Sequence, residues 1–192
     1  MNIYLIRHTA PDIASGICYG QTDLDVADSF FRDAEILQNK LKHILAPKIY
    51  SSPLKRCTLL AEVMAQKLNT TDIKHDQRLM ELDFGDWEMR KWEEIPRGSL
   101  DVWAEEHVTH APPNGESFIA LHSRAKSFLS EVILSNAYED KVIFTHSGVI
   151  RALVAEVLDL PLVNAFKIQI DFGSVSKIIF NDKLTRIACL NS

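Results

Sequence analysis

The feature that most constrains this chain is a pair of short runs, Ile3-Tyr4-Leu5-Ile6 and Val142-Ile143-Phe144, that are β-rich and apolar without alternation. A strand that does not alternate must be covered on both faces, and parallel sheets flanked by helices provide that cover. Between such runs the apolar spacing changes to a helical period. Strands taking turns with helices predict an α/β chain of three layers, α/β/α, around a largely parallel central sheet.

The strands are expected at Ile3–Ile6, Lys48–Ser51, within Asp72–Leu79, at Lys141–Thr145, at Phe166–Ile170 and Val175–Phe180 around a Gly173 turn, and at Arg186–Leu190. Helical spacing covers Ala27–Leu45, with Phe30, Phe31, Ala34, Leu37, Leu41 and Leu45 along one stripe. It continues over Leu54–Leu68, Glu116–Leu134 and Val149–Leu158, and Ser52-Pro53 is a suitable helix start. Ala10–Asp25 is a Gly-, Pro- and Asp-rich loop. The stretch from Glu81 to Pro113 is irregular and rich in Trp, Glu and Pro, which suits short helices and a cap around residues 84–113. No repeat or linker divides the chain, so residues 1–192 are read as one domain.

A formal charge of −5 gives no general attraction to nucleic acid or to an anionic membrane, and no apolar run approaches spanning length. An anionic substrate must then be held by a local cluster of Arg and His. Cys18, Cys57 and Cys189 are odd in number and scattered, the pattern of reduced thiols in a cytoplasmic protein rather than a disulfide framework or a metal site.

Two of the expected strands run into a histidine, at Arg7-His8 and at Thr145-His146. In an open α/β sheet, ligands bind beyond the carboxyl ends of the strands. A lone histidine there is more often structural than catalytic, but two of them beside an arginine favour a site. The second strand runs into Ser51-Ser52-Pro53-Leu54-Lys55-Arg56, a strand-to-helix turn whose first N–H groups favour an anion. Arg56 could grip phosphate oxygens from there, or lie solvated on the helix face. Glu81 opens an acidic block that could equally be an ordinary surface loop.

Taken in order, Arg7-His8-Thr9, Ser51-Ser52-Pro53-Leu54-x-Arg56, Glu81-Leu82-x-Phe84-Gly85-x-Trp87-Glu88 and Thr145-His146-Ser147-Gly148-Val149-Ile150-Arg151 resemble the histidine phosphatase superfamily. That superfamily includes the cofactor-dependent phosphoglycerate mutases. The resemblance implies a phosphoglycerate mutase-like fold and a metal-independent phosphatase without cofactor. His8 would be the nucleophile, Arg7, Arg56 and His146 phosphate ligands, and Glu81 the proton donor. The chemistry is consistent with those roles. A neutral imidazole is nucleophilic near pH 7. Two guanidiniums and a protonated His146 would spread positive charge around the transferring phosphoryl group. Glu81 would have to be protonated when substrate binds.

Gly16-Ile17-Cys18-Tyr19-Gly20-Gln21-Thr22-Asp23 is similar to a loop of the α-ribazole phosphatases, which dephosphorylate α-ribazole 5′-phosphate or adenosylcobalamin 5′-phosphate in cobalamin biosynthesis. On this reading Tyr19 and Gly20 join the substrate site, with Gly16 and Gly20 letting the backbone approach the phosphate. The mutases' phosphate-holding Asn is Ala14 here, which leaves Ser15 or loop backbone as replacements. Ser147 stands where relatives often have Gly, so its N–H or hydroxyl becomes a phosphate contact. The segment after Glu81 is short for a mutase, which favours hydrolysis. Trp87, Trp92 and Trp103 are read either as a stacking surface for a flat base or as packing of the cap. The rival readings are a phosphatase for a sugar bisphosphate, a phosphoglycerate or a phosphoprotein, and a non-catalytic phosphate-binding protein. The expected partner is a small phosphate monoester, and a sheet edge from Phe166 onward leaves a homodimer open.

Overall fold

The computed structural model describes residues 1–135, 139–181 and 184–192. Its strands are β1 (Asn2–Arg7), β2 (Lys48–Ser51), β3 (Ile73–His75), β4 (Lys141–Thr145), β5 (Val175–Ile179) and β6 (Arg186–Cys189), and its helices are α1 (Phe30–Leu41), α2 (Lys55–Lys67), α3 (Arg97–Glu106), α4 (Phe118–Ser135) and α5 (Ser147–Val157). The six strands form one sheet in the order β3-β2-β4-β1-β5-β6. β3, β2, β4 and β1 are parallel to their neighbours, and β5 and β6 add antiparallel pairs at one side. The expected three layers around a largely parallel sheet are therefore present.

Each central strand feeds two cores because successive side chains point to opposite faces. Ile3, Leu5 and Ile143 pack with Phe118, Leu121, Phe128, Leu153 and other residues of α4 and α5. Tyr4, Ile6, Val142 and Phe144 pack on the other face with Phe30, Leu37, Leu60 and Met64 of α1 and α2. The β1–β4 register pairs Arg7 with Thr145, so the residues that follow these strands, His8 and His146, emerge side by side.

Several sequence expectations need correction. Phe166–Ile170 is not a strand: a 3-10 helix runs over Leu162–Lys167, and the place beside β5 is taken by β6. The free edge on that side is accordingly β6. The Phe166 ring packs 4.9 Å from Phe118 and 4.7 Å from His107, and the Ile168 carbonyl accepts Arg151 Nε at 2.8 Å, so this backbone faces the site instead of a ladder. The third strand is limited to Ile73–His75, with a 3-10 turn over Gln77–Leu79 capped by Asp76. α1 is shorter than its pattern, and Phe31 and Leu45 of the expected stripe are exposed. α2 begins two residues after Pro53, and the Asp23 carboxylate accepts the Lys55 N–H at 2.6 Å. That helix end is therefore met by the protein's own carboxylate.

Candidate active site

The site lies at the carboxyl ends of β1, β2 and β4. A cavity there is lined by Arg7, His8, Tyr19, Glu81, Leu82, Phe84, Ser147, Gly148, Arg151 and Phe166. Arg56 and His146 stand behind this lining and are fully buried. Arg7, His8, Arg56, Glu81, His146, Tyr19, Gly20 and Ser147 are thus all at or around one place, although not in every expected role.

The His8 and His146 rings meet edge to face with centroids 5.0 Å apart. His8 Nδ1 lies 2.6 Å from the Thr9 carbonyl oxygen, so Nδ1 carries the hydrogen and Nε2 keeps its lone pair. Burial, then the charges of Arg56 and Arg7, hold the His8 pKa well below the ordinary imidazole value. The ring is therefore neutral, as a nucleophile requires. Its backbone is fixed too: the His8 N–H donates to Thr145 O at 3.0 Å, and the Gly173 N–H donates to His8 O at 3.1 Å.

His146 differs from expectation. Burial, followed by Arg56 and His8, holds it well below the ordinary value, so it is neutral rather than protonated here. Its Nε2 lies 2.8 Å from Ser52 Oγ. Ser52 Oγ also accepts the Leu54 N–H at 3.4 Å, and Cys57 Sγ lies 3.5 Å from the same ring nitrogen, an arrangement consistent with Nε2 as an acceptor of the Ser52 hydroxyl hydrogen. Nδ1 then carries the His146 hydrogen and can donate it to an anion without any added proton. This Nδ1 is buried without a hydrogen-bond partner, as are Arg7 Nε and Arg56 Nε. Buried donors left unpaired are costly, and these three, on two arginines and a histidine at one sheet edge, form a set that suits an anion.

Arg56 is no surface arginine. Its Nη1 donates to Thr22 O at 2.8 Å and its Nη2 to Gly20 O at 2.6 Å, so the first loop holds it in place. That loop is itself held by Glu88, whose carboxylate accepts the Gln21, Thr22 and Phe84 N–H groups and the Thr22 hydroxyl. Gly20 is required for close approach: a Cβ there would stand 2.1 Å from Leu82 O and 2.5 Å from Glu88 Oε1. Gly16 and Ser15 lie in a separate depression with Lys91, Trp92 and Glu93, so Ser15 does not replace the missing Asn. Arg7 donates from Nη1 to Ile170 O at 2.6 Å, and its guanidinium lies 3.6 Å from the centre of the Phe172 ring. Tyr19 stands over Arg56 at 5.5 Å, and burial raises its pKa.

Glu81 sits against the first turn of α5. Its Oε1 accepts the Leu82 N–H at 2.9 Å and the Gly148 N–H at 3.1 Å, and its Oε2 accepts the Ser147 hydroxyl at 3.2 Å. Ser147 therefore serves the carboxylate here. The three tryptophans are packing groups. Trp92 and Trp103 stack at 6.2 Å, Trp87 meets Trp103 edge to face at 5.8 Å, and none lines the cavity. The aromatic wall is Tyr19, Phe84 and Phe166 instead. Sequence reasoning singled out neither Phe166 nor Arg151. Arg151 ended a recognised motif, and its place one helical turn after Ser147 was the available signal. Among the described residues no group of three His, Cys, Asp or Glu side chains could hold a metal ion, and no helix is long and apolar enough to cross a membrane.

Neighbouring buried histidines with buried Arg56 and half-buried Arg7 at the carboxyl edge of this sheet mark an α/β protein whose site suits an anion. The family model of the histidine phosphatase superfamily, branch 1, matches residues 3–192, and the chain belongs to that superfamily. Similar proteins include phosphoserine phosphatase 1 of Hydrogenobacter thermophilus, 29% identical over 100% of this chain and 92% of the relative. Adenosylcobalamin/alpha-ribazole phosphatase of Salmonella typhimurium is 26% identical over 100% of this chain and 96% of its own length. Among solved structures, the alpha-ribazole phosphatase of Shigella flexneri superposes with a TM-score of 0.91 at 25% identity, covering 100% of this chain and 96% of that one.

Proposed function

We propose that this chain hydrolyses phosphate monoesters through a phosphohistidine at His8, and that its substrate is α-ribazole 5′-phosphate or adenosylcobalamin 5′-phosphate. The observation that carries the chemistry is the neutral His8, hydrogen-bonded at Nδ1 and open at Nε2, beside two guanidiniums and the unpaired His146 Nδ1. In the first step Nε2 attacks phosphorus and the bond from phosphorus to the ester oxygen breaks. Glu81 gives its proton to the departing alkoxide. In the second step water attacks the phosphorus of phosphohistidine and returns a proton to Glu81, while the P–N bond breaks and inorganic phosphate leaves. Arg7, Arg56 and His146 donate to the phosphoryl oxygens throughout, so charge is stabilised by groups already in place.

The ribazole assignment rests on the first loop, which brings Tyr19 to the cavity wall and holds Arg56 through its carbonyls. Tyr19, Phe84 and Phe166 offer aromatic faces on which a nucleoside base can pack. The test is phosphate release in excess EDTA from α-ribazole 5′-phosphate, fructose 2,6-bisphosphate, 3-phosphoglycerate and p-nitrophenyl phosphate, by wild type and His8→Ala. The expected result is His8-dependent release, fastest from α-ribazole 5′-phosphate. Activity that survives His8→Ala would overturn the mechanism, and a flat profile across the panel would overturn the substrate.

A further inference from the structure

Glu81 carries the proton in the proposed reaction, yet residues 80–84 belong to no strand or helix, so no ladder fixes where its carboxylate stands. Side chains replace the ladder. Arg124, on α4, donates from Nη1 to Arg78 O at 2.8 Å and to Met80 O at 2.6 Å, and from Nη2 to Glu81 O at 2.9 Å. Thr145 Oγ1 donates to the intervening carbonyl, Leu79 O, at 2.8 Å, and Gln21 Nε2 adds a second donor to Glu81 O at 3.0 Å. The carbonyls leading up to the acid are thus satisfied by side chains, and Arg124 supplies most of the donors.

Glu116, just before α4, aims that guanidinium. It accepts Arg124 Nε at 3.1 Å on Oε2 and Arg124 Nη2 on Oε1, a two-pronged and half-buried ion pair. Glu116 also grips the chain beyond the acid. Its Oε1 accepts the Asp83 N–H at 3.2 Å, and its own N–H donates to Asp83 O at 2.9 Å. The pair therefore holds the backbone on both sides of Glu81. Neither residue lines the cavity, so the pair stands behind the acid and not at the reacting atoms.

We propose that Arg124 and Glu116 are positioning residues for proton transfer: together they set the place of the Glu81 carboxylate and so the rate of leaving-group protonation. The inference rests on the acid role of Glu81 and adds the residues that make it effective. One rigid planar fork meets three carbonyls and a carboxylate, whereas an ammonium on a flexible stem can meet only some of them. Loosening is steep in effect, because misplacement by about 1 Å lowers a rate roughly a hundredfold.

The test is single-turnover phosphoryl transfer from two esters. One is whichever alkyl ester of the panel above wild type hydrolyses fastest, and the other is p-nitrophenyl phosphate, whose leaving group needs no proton. Arg124→Lys should slow the alkyl ester about a hundredfold and p-nitrophenyl phosphate less than about threefold. Glu116→Gln, which keeps an acceptor for the Asp83 N–H and loses the charge, should show the same selectivity with a smaller loss. In a Glu81→Gln background, Arg124→Lys should add no further loss on the alkyl ester, because both changes act through one group. Equal losses on the two esters would leave the pair as supports of the fold alone and overturn the proposal. Wild-type rates in both variants, or losses that add to that of Glu81→Gln, would overturn it as well. If Arg124→Lys does not fold, Glu116→Gln decides by the same criterion. The acid reading fails separately, if Glu81→Gln itself slows both esters equally.

Discussion

At the scale of single residues, burial sets the state of the imidazole proposed as nucleophile. His8 and His146 are both enclosed next to arginines, and the same surroundings that keep them neutral assign their hydrogens. Thr9 O takes the His8 Nδ1 hydrogen, and the Ser52 hydroxyl leaves His146 Nδ1 as donor. In the proposed mechanism Glu81 exchanges the proton, and its carboxylate is held by the Gly148 and Leu82 N–H groups. Glu81→Gln keeps the shape and removes the acid. Turnover of alkyl phosphates should fall by roughly 10²–10⁴, the usual worth of general acid–base catalysis. p-Nitrophenyl phosphate, whose leaving group needs no proton, should lose far less in the phosphorylation step. Single-turnover phosphate transfer from both esters measures this, and equal losses would remove Glu81 from the acid role.

At the scale of elements, the α5 N-terminus joins fold to chemistry. Gly148 gives Glu81 a backbone donor, and a Cβ at that position would lie 2.3 Å from Glu81 Oε1 and 3.3 Å from Leu121. Gly148→Ala should therefore displace the carboxylate. A shift near 1 Å costs about a hundredfold in rate, so alkyl phosphates should again suffer most. Alanine favours a helix over glycine by roughly 0.8–1.0 kcal/mol, which works against unfolding. A large loss of activity with Tm nearly unchanged is expected, and an alanine variant of normal activity would show that Glu81 is not held here. The apolar runs of β1 and β4 and the residues just beyond them were readable because buried strands and strand-end histidines are local patterns. Phe166–Ile170 was misread as a strand because Phe166 and Ile168 are apolar whether they pair in a sheet or cover a cavity. The Glu88 clasp was not readable either, since a carboxylate that binds backbone N–H groups sixty-seven positions away looks in sequence like any surface glutamate.

At the scale of the whole molecule, the site draws on both cores. The β1 and β4 residues before His8 and His146 alternate between the layer of α4 and α5 and the layer of α1 and α2, so strain in either layer reaches the catalytic edge. The two buried imidazoles also tie global stability to pH. Their folded pKa values are depressed, so both states are neutral well above about pH 6.5, the unfolded value, and no stability is lost there. Below that value the unfolded chain takes up protons that the folded chain refuses. Each histidine then removes about 1.4 kcal/mol of stability per pH unit, until the pH reaches its folded pKa. Urea unfolding at pH 7.5, 6.5 and 5.5 should show a small loss over the first interval and a steeper loss of up to about 2 kcal/mol over the second, summed over the two groups. His8→Asn, which keeps a side-chain donor for Thr9 O, should fold and show about half of that loss. A wild-type stability that stays level down to pH 5.5 would mean that the two rings accept protons in the folded state. His8 would then be cationic in weak acid and unable to attack phosphorus, and phosphatase activity should decline over the same interval.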